Sequence, residues 1–268
     1  MTQAKSIRAP AGAHKKTLCA IGAILPLLIG APSIAQAQGV DELGVYGESE
    51  HELYASPQHA ALEIRFGRYL PNVDDEFNGG ATPFADTFGN DNRYLIGLEL
   101  DWQALRIPHF GSLGPGIGWG YTKATANAVV TRTGERSDQE TSLAIMPMYL
   151  VGVLRVDLFA KDMGIPLVPY GKVGLGYALW WSRSGDDSAR DDAGAIGRGT
   201  SFGWQYALGG MLLLDALDER SAAEMDENSG VNNSYFFLEW YNSHLDGFGG
   251  DRMEVGTNTW MLGLALEF

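Results

Sequence analysis

The last nine residues, Trp260-Met261-Leu262-Gly263-Leu264-Ala265-Leu266-Glu267-Phe268, alternate in character. Large apolar side chains stand at 260, 262, 264, 266 and 268, and small or polar ones at 263, 265 and 267. Strict period-two alternation predicts a strand with one apolar face. A soluble protein rarely presents its whole apolar face on the final strand. A barrel that crosses a membrane must, because its last strand closes against its first and leaves no edge. On this segment alone, a strand of a soluble sandwich is the competing reading.

Seven further segments carry a related pattern. Ala61 to Leu70 sets Leu62, Ile64 and Phe66 against Glu63 and Arg65. Arg93 to Gln103 sets Tyr94, Ile96, Leu98, Leu100 and Trp102 against Arg93, Gly97, Glu99, Asp101 and Gln103. Leu113 to Thr122 sets Leu113, Ile117, Trp119 and Tyr121 against glycines at 114, 116, 118 and 120. Thr141 to Asp157 is apolar on both faces and contains Pro147; a proline inside a strand predicts a bulge there. Pro169 to Ser182, Thr200 to Leu214 and Ser234 to Asn242 alternate again, with Lys172, Gln205, Tyr235, Phe237 and Glu239 opposite their apolar faces.

The connections sort by parity. Pro71 to Asn92, Lys123 to Glu140, Arg183 to Gly199 and Ser243 to Gly256 are long and polar. Ala104 to Ser112 and Leu158 to Val168 are short. The sixth reads as a helix, Asp218 to Asp226, capped by Asp215 and ended near Gly230. An even-stranded barrel with both termini on the periplasmic side produces this alternation, and a sandwich has no reason to. Tyr94, Trp102, Trp119, Tyr121, Trp181, Trp240 and Trp260 fall near strand ends on the apolar faces, where interfacial girdles belong. The fold expected is all-β: an eight-stranded antiparallel up-and-down transmembrane β-barrel over residues 61–268.

Residues 1–37 read as an export signal. Lys5, Arg8, Lys15 and Lys16 precede an apolar stretch from Leu18 to Ile29, and Ala35-Gln36-Ala37 is a small-x-small cleavage site. Cys19, the sole cysteine, leaves with it, so the mature chain has no thiol chemistry. Residues 38–60 form an acidic, aperiodic lead-in on the periplasmic side. The whole chain has 19 basic and 33 acidic residues, and four of the basic ones lie in the signal. The remaining balance, 15 against 33, gives a net charge of −18. Nucleic acid is a poor partner for such a chain.

Trp260, Leu262, Leu264, Leu266 and Phe268 resemble the C-terminal signal that the barrel-insertion machinery reads in Gram-negative outer-membrane proteins. Three other segments resemble one particular group: residues 140–150 (ETSLAIMPMYL), 168–180 (VPYGKVGLGYALW) and 229–240 (SGVNNSYFFLEW). They are similar to an uncharacterised family of outer-membrane β-barrel proteins of myxobacteria and related deltaproteobacteria. The resemblance covers most of the chain after residue 60. It implies a multi-pass location in the outer membrane, in contact with its lipid and lipopolysaccharide, and no particular activity.

Alternation places Glu63, Arg65, Arg93, Glu99, Asp101, Lys172 and Glu239 inside the barrel, with Gln205, Tyr235 and Phe237. Charges in so narrow an interior must be paired or wet. An ion-pair network that plugs the barrel is the leading reading. A narrow pore for small solutes is the alternative, because many inward positions are glycine. A lipid-modifying hydrolase would need a Ser/His/acid set at the outer rim. Of the histidines after residue 37 (His51, His59, His109 and His244) only His244 falls on that side, beside Ser243 and Asp246, and strand neighbours point to opposite faces. Asp186, Asp187, Asp191 and Asp192 could offer oxygen ligands to a cation, but Arg183, Arg190 and Arg198 interleave and a solvated loop is favoured. A non-catalytic monomer without cofactors or metals, with a structural or surface-interaction role, is expected.

Overall fold

The computed structural model describes residues 59–77, 80–90, 93–129, 136–185, 187–189, 194 and 196–268. The expected signal and nearly all of the lead-in lie outside these residues. So do Asp186, Asp191 and Asp192 of the acidic loop.

Eight long strands follow one another: β1 (Ala60–Arg68), β2 (Tyr94–Trp102), β3 (Gly111–Val129), β4 (Arg136–Val156), β5 (Leu167–Ser184), β6 (Arg198–Leu213), β7 (Asn233–His244) and β8 (Asn258–Glu267). Each pairs antiparallel with its neighbours in sequence. β8 returns to β1 with Leu62 opposite Leu266 and Ile64 opposite Leu264, so the sheet closes. Phe268 seals the seam: its carbonyl accepts from the Ala60 N–H at 2.9 Å, and its N–H donates to the Ala60 carbonyl at 2.9 Å. A closed sheet satisfies every strand through its neighbours, as a bilayer core demands.

The faces follow the alternation. In β2 exposed and buried positions alternate without a break from Tyr94 to Trp102. Ile117 is 62% exposed and Val173 66%, whereas Glu63 and Glu239 are fully buried. An apolar exterior around a charged interior is the inverse of a water-soluble β-protein, and it makes this a transmembrane barrel. A crossing strand needs about 9–11 residues. β1 and β2, at nine residues each, are matched to that length.

β3, β4 and β5, with 19, 21 and 18 residues, are much longer. The segment Lys123 to Glu140 is therefore not a loop over most of its length: β3 continues to Val129 and β4 begins at Arg136. Lysine, threonine, alanine and asparagine alternate weakly there, because no lipid selects one face. Nor does Pro147 make a bulge. Pairing of β3 with β4 lapses at Gly120–Tyr121 opposite Met146–Pro147 and resumes at Thr122–Ile145 in the same register; the register shift comes later, between Asn127 and Val129. Proline has no N–H to give to Gly120, and losing one donor removes both bridges without an extra residue.

At the end where the chain's described part begins and stops, the turns are compact. Two-strand pairing of Leu105–Ile107 with β3 and the one-turn helix α2 (Leu158–Lys161) make the first two. The third holds helix α3 (Glu219–Ser229), followed by Gly230 at φ 69°. Asp215 does not cap α3. It lies in a separate 3-10 turn and accepts from Ser234 Oγ at 2.6 Å. At the opposite end helix α1 (Pro83–Phe88) folds over the mouth. The Asp74 carboxylate accepts from the Phe84 and Ala85 N–H groups at 2.7 and 2.9 Å. Phe84 is buried against Tyr69, Leu95, Leu143 and Ile145. The β7–β8 connection turns inward too, burying Leu245 and Val255.

Candidate functional site

Three strands bring carboxylates to the middle of the lumen: Glu63 from β1, Glu99 and Asp101 from β2, and Glu239 from β7. Register places Glu63 opposite Glu99. Four like charges this close are tolerable only with cations among them. Lys172 of β5 reaches between Glu63 and Glu99 with Nζ 2.6 Å from an oxygen of each, and lies 3.9 Å from Glu239. Arg65 of β1 pairs with Glu99 and with Glu239. None of these side chains is more than 5% exposed.

A third cation, Arg155 of β4, ties the network to the end that holds the last residues of β8. Its Nη2 lies 3.0 Å from Glu63 and bonds to Asp101, and its Nη1 lies 3.4 Å from Glu267. Neither Arg155 nor Glu267 stood out in the sequence. β4 is apolar on both faces, so its single inward charge marked no face. β8 was legible only by its outer side. An inward basic residue on the one strand that lacks alternation was the available signal.

The cluster holds five carboxyl groups against three cations, and tyrosines supply the missing donors. Tyr149 donates to Glu99 at 2.6 Å, Tyr170 to Glu239 at 2.8 Å and Tyr235 to Glu267 at 3.0 Å. Gln103 adds a bond to Glu267 at 2.6 Å. The carboxylate oxygens of Glu63, Glu99 and Asp101 lie within 4.8 Å of one another, as metal ligands do. Lys172 and Arg155 already bridge them, so a cation of this chain stands where a metal ion would.

Arg93 takes another place. It sits at the start of β2, donates to the Phe88 and Gly89 carbonyls and lies over the Phe84 ring, 5.1 Å from its centroid. It holds α1 in the mouth. Above the charged layer the lumen turns apolar, with Leu95, Ile145, Tyr241, Leu245, Val255 and Met261 in one cluster. The cavity beside Arg65, Pro147, Tyr149 and Tyr241 holds about 10 Å³, and that under Phe84 about 10 Å³. Each is about the space of one water molecule.

The inward glycines do not leave a channel. The Tyr149 ring occupies the space a side chain at Gly118 would need, and Leu245 occupies that at Gly176. These two glycines make room for large neighbours, while Gly114, Gly174 and Gly203 lie against backbone carbonyls.

At the rim where β7 ends, Ser243 and His244 point to opposite faces. Ser243 is buried and its Oγ accepts from the Thr257 N–H at 3.0 Å. His244 lies outside, stacked on Trp204 at 4.6 Å, with Nδ1 3.4 Å from Glu254. No Ser–His pair forms at these positions. The set Trp260, Leu262, Leu264, Leu266 and Phe268 shares the outward face of β8, with Trp260 62% exposed.

No protein-family profile matches the chain, and a sequence comparison with curated proteins finds no match. Solved structures of similar outline exist. The attachment invasion locus protein Ail of Yersinia pestis, in complex with the heparin analogue sucrose octasulfate, superposes with a TM-score of 0.41. It has 13% identity over 79% of this chain and 97% of its own. Neisserial surface protein A gives a TM-score of 0.36 and 11% identity over 79% of this chain and 95% of its own.

Proposed function

We propose that the protein is a non-catalytic, monomeric β-barrel of the Gram-negative outer membrane whose lumen is sealed, and that its function lies in its outer surface. The observation that carries this reading is the filled interior. A buried ion-paired layer from Glu63 to Glu239 and an apolar layer above it leave spaces of about 10 Å³ beside Arg65 and under α1. A solute path needs continuous wet space, and this interior has been given to side chains instead. Three strands that overreach the membrane and helix α1 at the mouth give the outer end most of its surface.

In this reading residues 1–37 direct export and the alternating end of β8 is the mark for the insertion machinery. Lipid and lipopolysaccharide surround the belt. The resemblance of segments 140–150, 168–180 and 229–240 to the myxobacterial family agrees with such a role. Planar-bilayer recording of the refolded protein tests it against the narrow pore. Silence is expected for the wild-type protein and for Glu99→Gln. Unitary conductance that changes with Lys172→Met would overturn the sealed-lumen reading.

A further inference from the structure

Rows of paired residues on the lipid side of the barrel climb as they pass from strand to strand. One row runs from Leu62 of β1 through Ile117, Leu150 and Leu175 to Trp204 of β6 and His244 of β7. β1 and β7 run in the same direction. The row starts at the third residue of β1 and finishes on the last residue of β7. It therefore rises most of the way from one end of the barrel to the other, as tilted strands require. The row above it joins Leu98, Trp119, Met148, Tyr177 and Phe202.

Between these rows the apolar face is hollowed from β2 to β5. The groove holds about 600 Å³ and is lined by Leu98, Ile117, Trp119, Leu150, Leu175 and Tyr177. That lies within the range of small-molecule sites. It slants upward inside the belt that lipid covers, so its shape and setting suit an acyl chain.

At its rising end the groove meets fixed positive charge. Tyr177 stands opposite Phe202 of β6. The Arg252 guanidinium, from the β7–β8 connection, lies over the Phe202 ring, 5.5 Å from its centroid. Its Nη1 donates to the Thr200 carbonyl and to Thr200 Oγ1 at 3.1 and 3.0 Å. Arg198 precedes Thr200 by two residues and shares its face, opposite Trp181. Two residues of strand are about 7 Å. Both arginines are exposed. Like charges set this close favour an anion between them, and guanidinium forks match phosphate oxygens.

We propose that this face binds one phosphorylated glycolipid of the lipid A type, with a phosphate on Arg198 and Arg252 and an acyl chain in the groove below. Two guanidinium charges balance a phosphate monoester, which carries about −1.5 to −2 at neutral pH. A phospholipid diester, with a single charge, matches them less well. The choice of glycolipid rests on the proposed outward orientation of this end; the groove and the arginine pair do not.

Native mass spectrometry of the refolded protein, released from detergent micelles, tests the site. Diphosphoryl lipid A is expected to bind as a single copy, and phosphatidylglycerol ~10-fold or more weakly. Joint replacement Arg198→Gln and Arg252→Gln weakens lipid A binding by a similar factor. Leu150→Trp fills the groove, leaves both arginines in place and also weakens it. Leu208→Trp, on the lipid face of β6 outside the groove, does not. The faster gel migration of unheated sample reports that each variant is folded, and the preference of the wild-type protein needs no variant. Equal binding of the two lipids, lipid A binding that survives loss of both arginines, or equal effects of Leu150→Trp and Leu208→Trp would overturn the proposal. Orientation is read separately, by labelling Asp251→Cys in intact cells with a membrane-impermeant thiol reagent. Protection of that cysteine would overturn the choice of glycolipid in the cell, whereas binding in micelles does not depend on orientation.

Discussion

Lys172 holds its ammonium 2.6 Å from both Glu63 and Glu99, with all three side chains buried. Removing one partner of a buried ion pair strands the other charge, at about 3–5 kcal/mol. Lys172→Met is expected to destabilise the barrel by that amount in urea unfolding from lipid vesicles. Adding Glu63→Gln and Glu99→Gln restores part of the loss, because neutral amides need no counter-charge. A titration in the β7–β8 connection has the opposite sense. Burial, opposed by His244, raises the Glu254 carboxyl above its ordinary value. A raised acid favours folding fully below its unfolded value, and that contribution fades as pH rises through the folded value. The wild-type midpoint should therefore fall relative to Glu254→Gln between mildly acidic and neutral pH. At this scale the sequence was readable where alternation framed a charge. Glu63, Arg65 and Glu99 each stand between apolar residues that face lipid. Arg155 stands among Val153, Leu154 and Val156, and no face could be assigned to it from neighbours.

Elements were legible where lipid touches them. β2 could be bounded to within a residue because each outward position is large and apolar and each inward one except Leu95 is not. Lipid stops selecting beyond Thr122, and the outer half of the β3–β4 hairpin then reads as loop. Its regularity comes from the ladder, in which Lys123 meets Ala144 and Thr125 meets Ser142. Replacing residues 127–140 by an Asn-Gly turn between the paired Ala126 and Thr141 should close the hairpin early. Stability in vesicles is expected to change by less than about 1 kcal/mol, since the excised ladder buries nothing of the charged layer or the belt. Pro147→Ala should create a new amide, donated to Gly120 and slow to exchange. A shifted register in that variant would contradict the geometry assigned to Pro147. Asp215 shows the limit of local signals: an acidic residue before a helix suits a cap, but the chain makes a separate 3-10 turn first and gives that carboxylate to Ser234.

For the whole molecule the governing fact is inversion: apolar outside, ionic and then apolar within. Closure depends on the last strand, whose final residue bonds to Ala60 on β1. Deleting Phe268 removes three backbone bonds to His59 and Ala60 and an outward ring together, and insertion yield in cells should fall while the periplasmic pool rises. Lipid contact itself is tested by single nitroxides at Val173, Leu175 and Tyr177 of the reconstituted protein, with Arg183 on the same strand as the reference. High collision rates with oxygen and low rates with a water-soluble nickel chelate are expected at the first three, and the reverse at Arg183. Equal nickel access at all four positions would mean that water, not lipid, covers the apolar face, and would contradict the transmembrane barrel.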